Sequence, residues 1–176
     1  MKNLFRNILT SLMLMTVLIS ALPITGLTFV RADTYISNRQ GSIQAILMSQ
    51  ADSSGKQTPY PGISMKLYQI GNASENNGNV NFTLDSRFAV SGITMDSLTT
   101  ADKWAAAAQT LAGLAGSSGI NAIEGTSDAQ GQILFNNLEQ GVYLLVQNSG
   151  QDRLIISPSL LTVPLQENGQ WIYDVK

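Results

Sequence analysis

Residues 126–147 read TSDAQGQILFNNLEQGVYLLVQ, and the order of turns and strands in this stretch decides the fold. Ser127 to Gly131 has the composition of a turn and leads into a short strand that puts Ile133 and Phe135 on one face. Glu139-Gln140-Gly141 makes a second turn, and Val142-Tyr143-Leu144-Leu145-Val146 follows as a strongly β-forming run. Aromatic and β-branched runs bounded by Asp, Asn and Gly are the units of a small antiparallel sandwich.

The same alternation of strands and turns continues on both sides. Gly41 to Met48 reads as a first strand, and Ser49 to Gly62 as a polar loop rich in Ser, Gly, Gln and Pro. From Ile63 to Ile70, apolar Ile63, Met65 and Leu67 alternate with Ser64, Lys66 and Tyr68, the period of a half-buried strand with its apolar side inward. Asn79 to Leu84 adds a short strand. Arg153 to Ile156 and Ser159 to Val163 read as strands bent at Pro158, and Gln170 to Lys176 as the last. Asn168-Gly169, a favoured pair for a primed two-residue turn, joins that last strand to the segment before it. Seven or more short strands at this spacing suggest an all-β antiparallel β-sandwich.

One helix is inserted. Thr99, with Asp102 three residues later, fits a capping box, and Ala105 to Ala108 are strong helix formers. Trp104, Ala107, Ala108, Leu111 and Leu114 share a face at helical spacing, and Gly113 and Gly116 are stop signals. This apolar stripe suits a helix laid over the open side of a sandwich; a partner-binding face is the alternative.

Residues 1–32 stand apart from the fold. Lys2 and Arg6 precede a mostly apolar run from Ile8 to Val30, interrupted by Pro23 and Gly26, and Val30-Arg31-Ala32 provides a cleavage site before Asp33. These are the parts of a secretory signal peptide cut between Ala32 and Asp33; a retained anchor is the competing reading, because the run is long enough to span a bilayer. Cleavage leaves residues 33–176 as a single sandwich domain with seven basic and 12 acidic side chains, a formal charge of −5. No basic patch is present, so nucleic acid is not an expected partner, and once processed the chain has no membrane segment.

Cysteine and histidine are both absent. No disulfide can hold this exported domain, no Ser-His or Cys-His pair can form, and a zinc site would have to be all carboxylate. The chain is therefore read as no enzyme, with no cofactor and no metal. Asp128, Glu124 and Asp152 match no calcium-loop spacing, and a turn-forming role suits Asp128. Asn72-Ala73-Ser74 and Asn81-Phe82-Thr83 have the N-glycosylation pattern, which arises easily in an Asn-rich stretch.

With these parts in order, the chain resembles a known family. The 126–147 string resembles the second half of the collagen-binding-protein B-type (prealbumin-like) domains of Gram-positive surface proteins. Gly41-x-Ile43, then Pro61-Gly62-Ile63-x-Met65-x-Leu67-Tyr68-Gln69-Ile70, is similar to the first half of the N-terminal domain of Gram-positive pilin subunits. The Trp104 helix and Pro158-x-Leu160-Leu161-x-Val163-Pro164 follow in that family's order, and Trp171-x-Tyr173-Asp174-Val175 looks like the approach to the pilin motif. The resemblance spans Gly41 to Lys176. It implies a prealbumin-like or inverse-Ig sandwich, exported and joined to other pilin subunits by sortase. In the family, a lysine in a Tyr-Pro-Lys context and a Leu-Pro-x-Thr-Gly signal are the joined groups. Neither motif is in this sequence, and Lys176, with no Tyr-Pro before it, is not assigned the lysine's role. The expectation is an N-terminal portion of a longer pilin; a short relative secreted without anchoring is the alternative.

The resemblance also raises an internal Lys–Asn isopeptide bond. Its chemistry needs an unprotonated lysine, a nearby asparagine amide and a buried carboxyl group kept neutral. With Gly41 setting the register, Leu47 stands about where the family's lysine belongs, and Gln147 where its glutamate belongs. Both isopeptide positions are therefore read as lost. Lys66 is out of phase with the apolar positions and is expected to face solvent; Lys103 starts the helix and Lys56 lies in the polar loop.

Three functions follow: a structural surface domain of a pilus, an adhesin module recognising host or matrix protein, and, least supported, an enzyme. The first is expected to be located at the cell surface or wall of a Gram-positive bacterium.

Overall fold

The computed structural model describes residues 34–77, 79–148 and 154–176. The signal-peptide reading, with Ala32 and Asp33, lies outside the described residues, as does Arg153. Ten strands and one α-helix occur among the described residues.

Three strands form a small sheet in the order β10 (Asp174–Val175), β1 (Gly41–Ile46), β5 (Gln132–Leu138). The large sheet is built around β2 (Ser64–Asn76), which is 13 residues long. β6 (Gly141–Gln147) pairs with one edge of β2. Along the other edge, β4 (Ile123–Thr126) and β3 (Asn79–Leu84) pair with successive parts of β2, and β7 (Ser159–Val163) extends the sheet beyond β6. All pairings in the large sheet are antiparallel, whereas β1 and β10 run parallel. The structure is thus an antiparallel β-sandwich with one helix.

The apolar run of β6 is explained by what lies on its two faces. Tyr143 and Leu145 point into a core shared with Met65 and Leu67 of β2, Ile43 of β1, and Ile133 and Phe135 of β5. Val142 and Leu144 point the other way, into a second core with Tyr68, Ile70, Phe88 and the helix α1 (Ala101–Ala115). A strand covered on both faces needs no polar alternation, so five successive apolar residues are all accommodated. Tyr68 corrects the expectation of an outward polar face on β2: it is buried, because α1 and a 3-10 segment (Ser86–Ser91) roof that side.

The helix begins one residue later than its capping signal suggested. Thr100 is the N-cap and accepts from the Lys103 N–H at 3.3 Å, while the Thr99 hydroxyl accepts from Lys103 Nζ at 3.2 Å. Ala107, Ala108, Leu111 and Ala115 are the buried stripe, and Trp104 ties its indole N–H to the Leu98 carbonyl at 2.8 Å. Gly113 lies inside the helix and Gly116 caps it.

Two strand expectations change. Residues 154–158 are not a strand; the side chain of Gln147 takes the place of a ladder there, donating to the Leu154 carbonyl at 2.7 Å and accepting from the Ile156 N–H at 2.9 Å. The segment 170–176 divides into β9 (Gln170–Ile172), which pairs with β8 (Leu165–Glu167), and β10, which pairs with β1. Asn168 and Gly169 both have positive φ, 51° and 77°, as the primed turn between β8 and β9 requires.

Candidate functional site

The residues resembling the pilin-motif approach, Trp171, Tyr173 and Val175, lie where the last strands meet the segment before β1. Val175 pairs with Ile43 and is buried in the inner core. Tyr173, on the single residue between β9 and β10, is also buried; its hydroxyl accepts from the Ile36 N–H at 2.6 Å and donates to the Ile36 carbonyl at 3.2 Å. Arg39 lies over the Tyr173 ring at 4.3 Å, and Tyr35 meets the Trp171 ring edge-on at 5.6 Å. Trp171 is thus matched by Tyr35, and Tyr173 by Ile36 and Arg39.

Gln140, in the turn between β5 and β6, closes this clasp. Its amide N–H donates to the Ile36 carbonyl at 2.7 Å and the Arg39 carbonyl at 2.9 Å, and its oxygen accepts from the Tyr35 hydroxyl. Burial, with Tyr173 and Glu75 adding to it, pushes the Tyr35 phenol above its ordinary value.

The parallel β1–β10 contact carries its own polar seam. The Ser42 N–H donates to the Tyr173 carbonyl at 3.0 Å, and its hydroxyl to Asp174 at 2.8 Å. Arg39 approaches Asp174 at 3.9 Å, an exposed pair of small energetic weight. Gly41, at the start of β1, admits the Tyr173 backbone because it has no side chain.

Leu47 and Gln147 have separate partners. Leu47 is partly buried against the inner core, its N–H donating to Gly131 and its carbonyl accepting from Tyr60. Gln147 ends β6 opposite Met65, with its amide used on Leu154 and Ile156 as above. Lys66 is half-buried and pairs with Glu124 at 3.5 Å across β2 and β4. The Asp128 carboxylate accepts from the Gln130 and Gln132 N–H groups at 2.9 and 2.8 Å, closing its own turn.

The clasp residues Tyr35, Arg39 and Gln140 gave no local signal in the sequence, since each works through a partner about a hundred or more residues away. The polar turn containing Gln140 was visible; its side chain's use was not.

No family model matches the chain, and no curated protein matches it. Solved structures similar to it include fimbrial and pilin proteins. The fimbrial protein FimP from Actonomyces oris is 19 % identical with a TM-score of 0.48, over 82 % of this chain and 30 % of that one. The full-length major pilin SpaD from Corynebacterium diphtheriae is 19 % identical with a TM-score of 0.47, over 81 % and 30 %. The SpaA pilin of Corynebacterium diphtheriae, in its signal-peptide complex, is 20 % identical with a TM-score of 0.44, over 78 % and 93 %. The match thus spans under a third of the FimP and SpaD chains.

Proposed function

We propose that this chain is a structural domain of a Gram-positive surface pilus, exported by residues 1–32, cut between Ala32 and Asp33, and joined to other pilin subunits by sortase. The observation that carries the reading is the parallel pairing of the first strand with the last, Ser42 opposite Asp174 and Ile43 opposite Val175. The chain enters β1 and leaves β10 at opposite ends of this pair. Tension along the polypeptide therefore loads the β1–β10 bonds in shear, so that they yield together rather than one at a time. That geometry suits a spacer in a fibre under pull. The ordered motifs from Gly41 to Val175 support the same reading, since they fall on β1, β2, α1, β5, β6, β7 and β10 in sequence.

In this reading residues 33–176 form one domain held by packing alone, with Leu47 and Gln147 marking the lost cross-link. Antibody to the domain, applied to denatured wall extracts of the source bacterium, is expected to show a ladder of high-mass species. A single unassembled band confined to the medium overturns the assembly reading. Intact mass of the secreted protein is expected to equal that of its sequence, and a deficit of one ammonia overturns the lost cross-link.

A further inference from the structure

A polar groove of about 450 Å³ lies between the tip of the β2–β3 hairpin and the β8–β9 hairpin. Its volume falls within the range of about 300–1,000 Å³ usual for small-ligand clefts. The first hairpin supplies Asn76 and Asn79, which are cross-strand partners, together with Asn77 at the turn and Asn81 beyond it. The second supplies Gln166 and Trp171, also directly paired across their strands. Val80 is the one aliphatic residue of the lining, and no ionisable side chain contributes to it.

We propose that this groove binds a neutral, hydroxyl-rich saccharide. Five carboxamides converge on it, and each offers both donors and an acceptor. Neighbouring hydroxyls on a sugar ring present the same mixture, so amides can bond them in pairs without a charge to neutralise. No hydrogen bond from another described residue engages these five amide side chains, and all five residues are exposed, so a ligand would displace only water from them. Trp171 adds an aromatic surface for the C–H face of a sugar ring. Its ring packs against that of Tyr35 at an interplanar angle of 69°, which restricts its rotamers before any ligand arrives. A charged ligand would find no counter-charge in the lining. An extended peptide added to the free edge of β3 would need pockets for alternate apolar side chains, and the lining offers only Val80 and Trp171. The inference is independent of assembly into a fibre.

The test is a titration of the isotope-labelled protein followed by NMR, with four probes at millimolar concentration: an N-acetylglucosamine trimer, N-acetyllactosamine, a sialylated lactose and an extended Val/Thr peptide. The side-chain amide signals of the groove asparagines and Gln166, and the Trp171 indole signal, are expected to move saturably with at least one of the two neutral sugars. A response to the trimer points to a bacterial wall glycan as the source, and a response to N-acetyllactosamine to a glycan of another cell. Trp171→Ala and Asn81→Ala are each expected to weaken binding at least about tenfold. Asn81 is exposed, so its variant keeps the remaining spectrum and separates lost binding from lost fold. No saturable shift with either neutral sugar, shifts confined to other residues, a response to the peptide or the sialylated sugar alone, or undiminished binding by both variants overturns the proposal.

Discussion

Gly41 and Tyr173 approach each other across the parallel β1–β10 pair so closely that a methyl group on Gly41 would overlap the Tyr173 carbonyl oxygen. The same methyl would stand 2.7 Å from Val163 Cγ1 in the core. Backbone and packed core are the two kinds of neighbour that cannot swing aside, so the strain has to be relieved by displacing β10. Gly41→Ala is expected to lower stability by about 1–3 kcal/mol, the usual range for overpacking. Urea unfolding followed by circular dichroism measures the loss. Hydrogen exchange locates it, since the Ser42 amide that donates to Tyr173 should lose protection first. A variant with an unchanged midpoint would show that the strands part without cost.

Ser127 is a small polar residue buried at the junction of four backbone and side-chain bonds. Its hydroxyl donates to the Tyr60 carbonyl at 2.7 Å and accepts from the Ile63 N–H at 2.8 Å; its own N–H donates to Ile63 and its carbonyl accepts from Gly62. Together these dock the loop before β2 onto the end of β4. Removing the hydroxyl leaves one donor and one acceptor without partners inside the protein. Ser127→Ala is expected to cost about 1–3 kcal/mol, and Ser127→Thr considerably less if the added methyl fits. Thermal unfolding of the pair decides it, equal melting temperatures for Ala and wild type being the contrary result.

These residues show which parts of the structure were legible in the chain. Strands were readable because β-forming runs and turn residues are local, and the primed turn at Asn168-Gly169 and the sheet strands at 132–138 and 141–147 stand where the pattern put them. The five apolar residues of β6 already contain the need for cover on both faces, yet alternation along β2 points Tyr68 outward because that pattern encodes one core and not the second. The helix cap moved by one because Thr99 and Thr100 are chemically alike, and only geometry distinguishes them. Residues 154–156 have strand composition, but a side-chain amide from Gln147 supplies the bonds that a neighbouring strand would have made. The clasp of Tyr35, Arg39 and Gln140 on Trp171 and Tyr173 could not be read at all. It joins the two ends of the fold, and nothing in a window of neighbouring residues encodes that.

Tyr143 is buried between the sheets, and its hydroxyl donates to the Glu139 carbonyl at 2.6 Å, four residues upstream. Desolvation, reinforced by the charge of Glu139, raises its pKa well above the ordinary tyrosine value near 10. In the unfolded chain the phenol ionises near that ordinary value, while in the folded chain it stays protonated. Above about pH 10 the unfolded state therefore binds fewer protons than the folded state, and stability falls as pH rises further. Tyr143→Phe is expected to cost about 1 kcal/mol at neutral pH, because the Glu139 carbonyl loses its donor. The same variant should lose part of the alkaline decline. Urea midpoints at about pH 8 and about pH 11 measure both effects, and identical pH slopes in the two proteins would count against the buried phenol as their source.

The shear geometry of β1 and β10 makes the last prediction directional. Pulled from its two ends, the domain loads the Ser42–Tyr173 backbone bond, the Ser42–Asp174 side-chain bond and the packing of Val175 on Ile43 side by side. Pulled instead between Leu165 and Ile172, the pair at the open end of the β8–β9 hairpin, it should open β8 from β9 one residue pair at a time. Forced unfolding reports the barrier to leaving the native state rather than its equilibrium stability. Single-molecule pulling is therefore expected to give a clearly higher rupture force in the end-to-end geometry. Ser42→Ala should lower that force, because it removes the side-chain bond to Asp174 but keeps the backbone ladder, and it should leave the force in the second geometry unchanged. Equal rupture forces in the two directions would mean that the first and last strands carry no special share of the load, and the spacer reading would lose its physical basis.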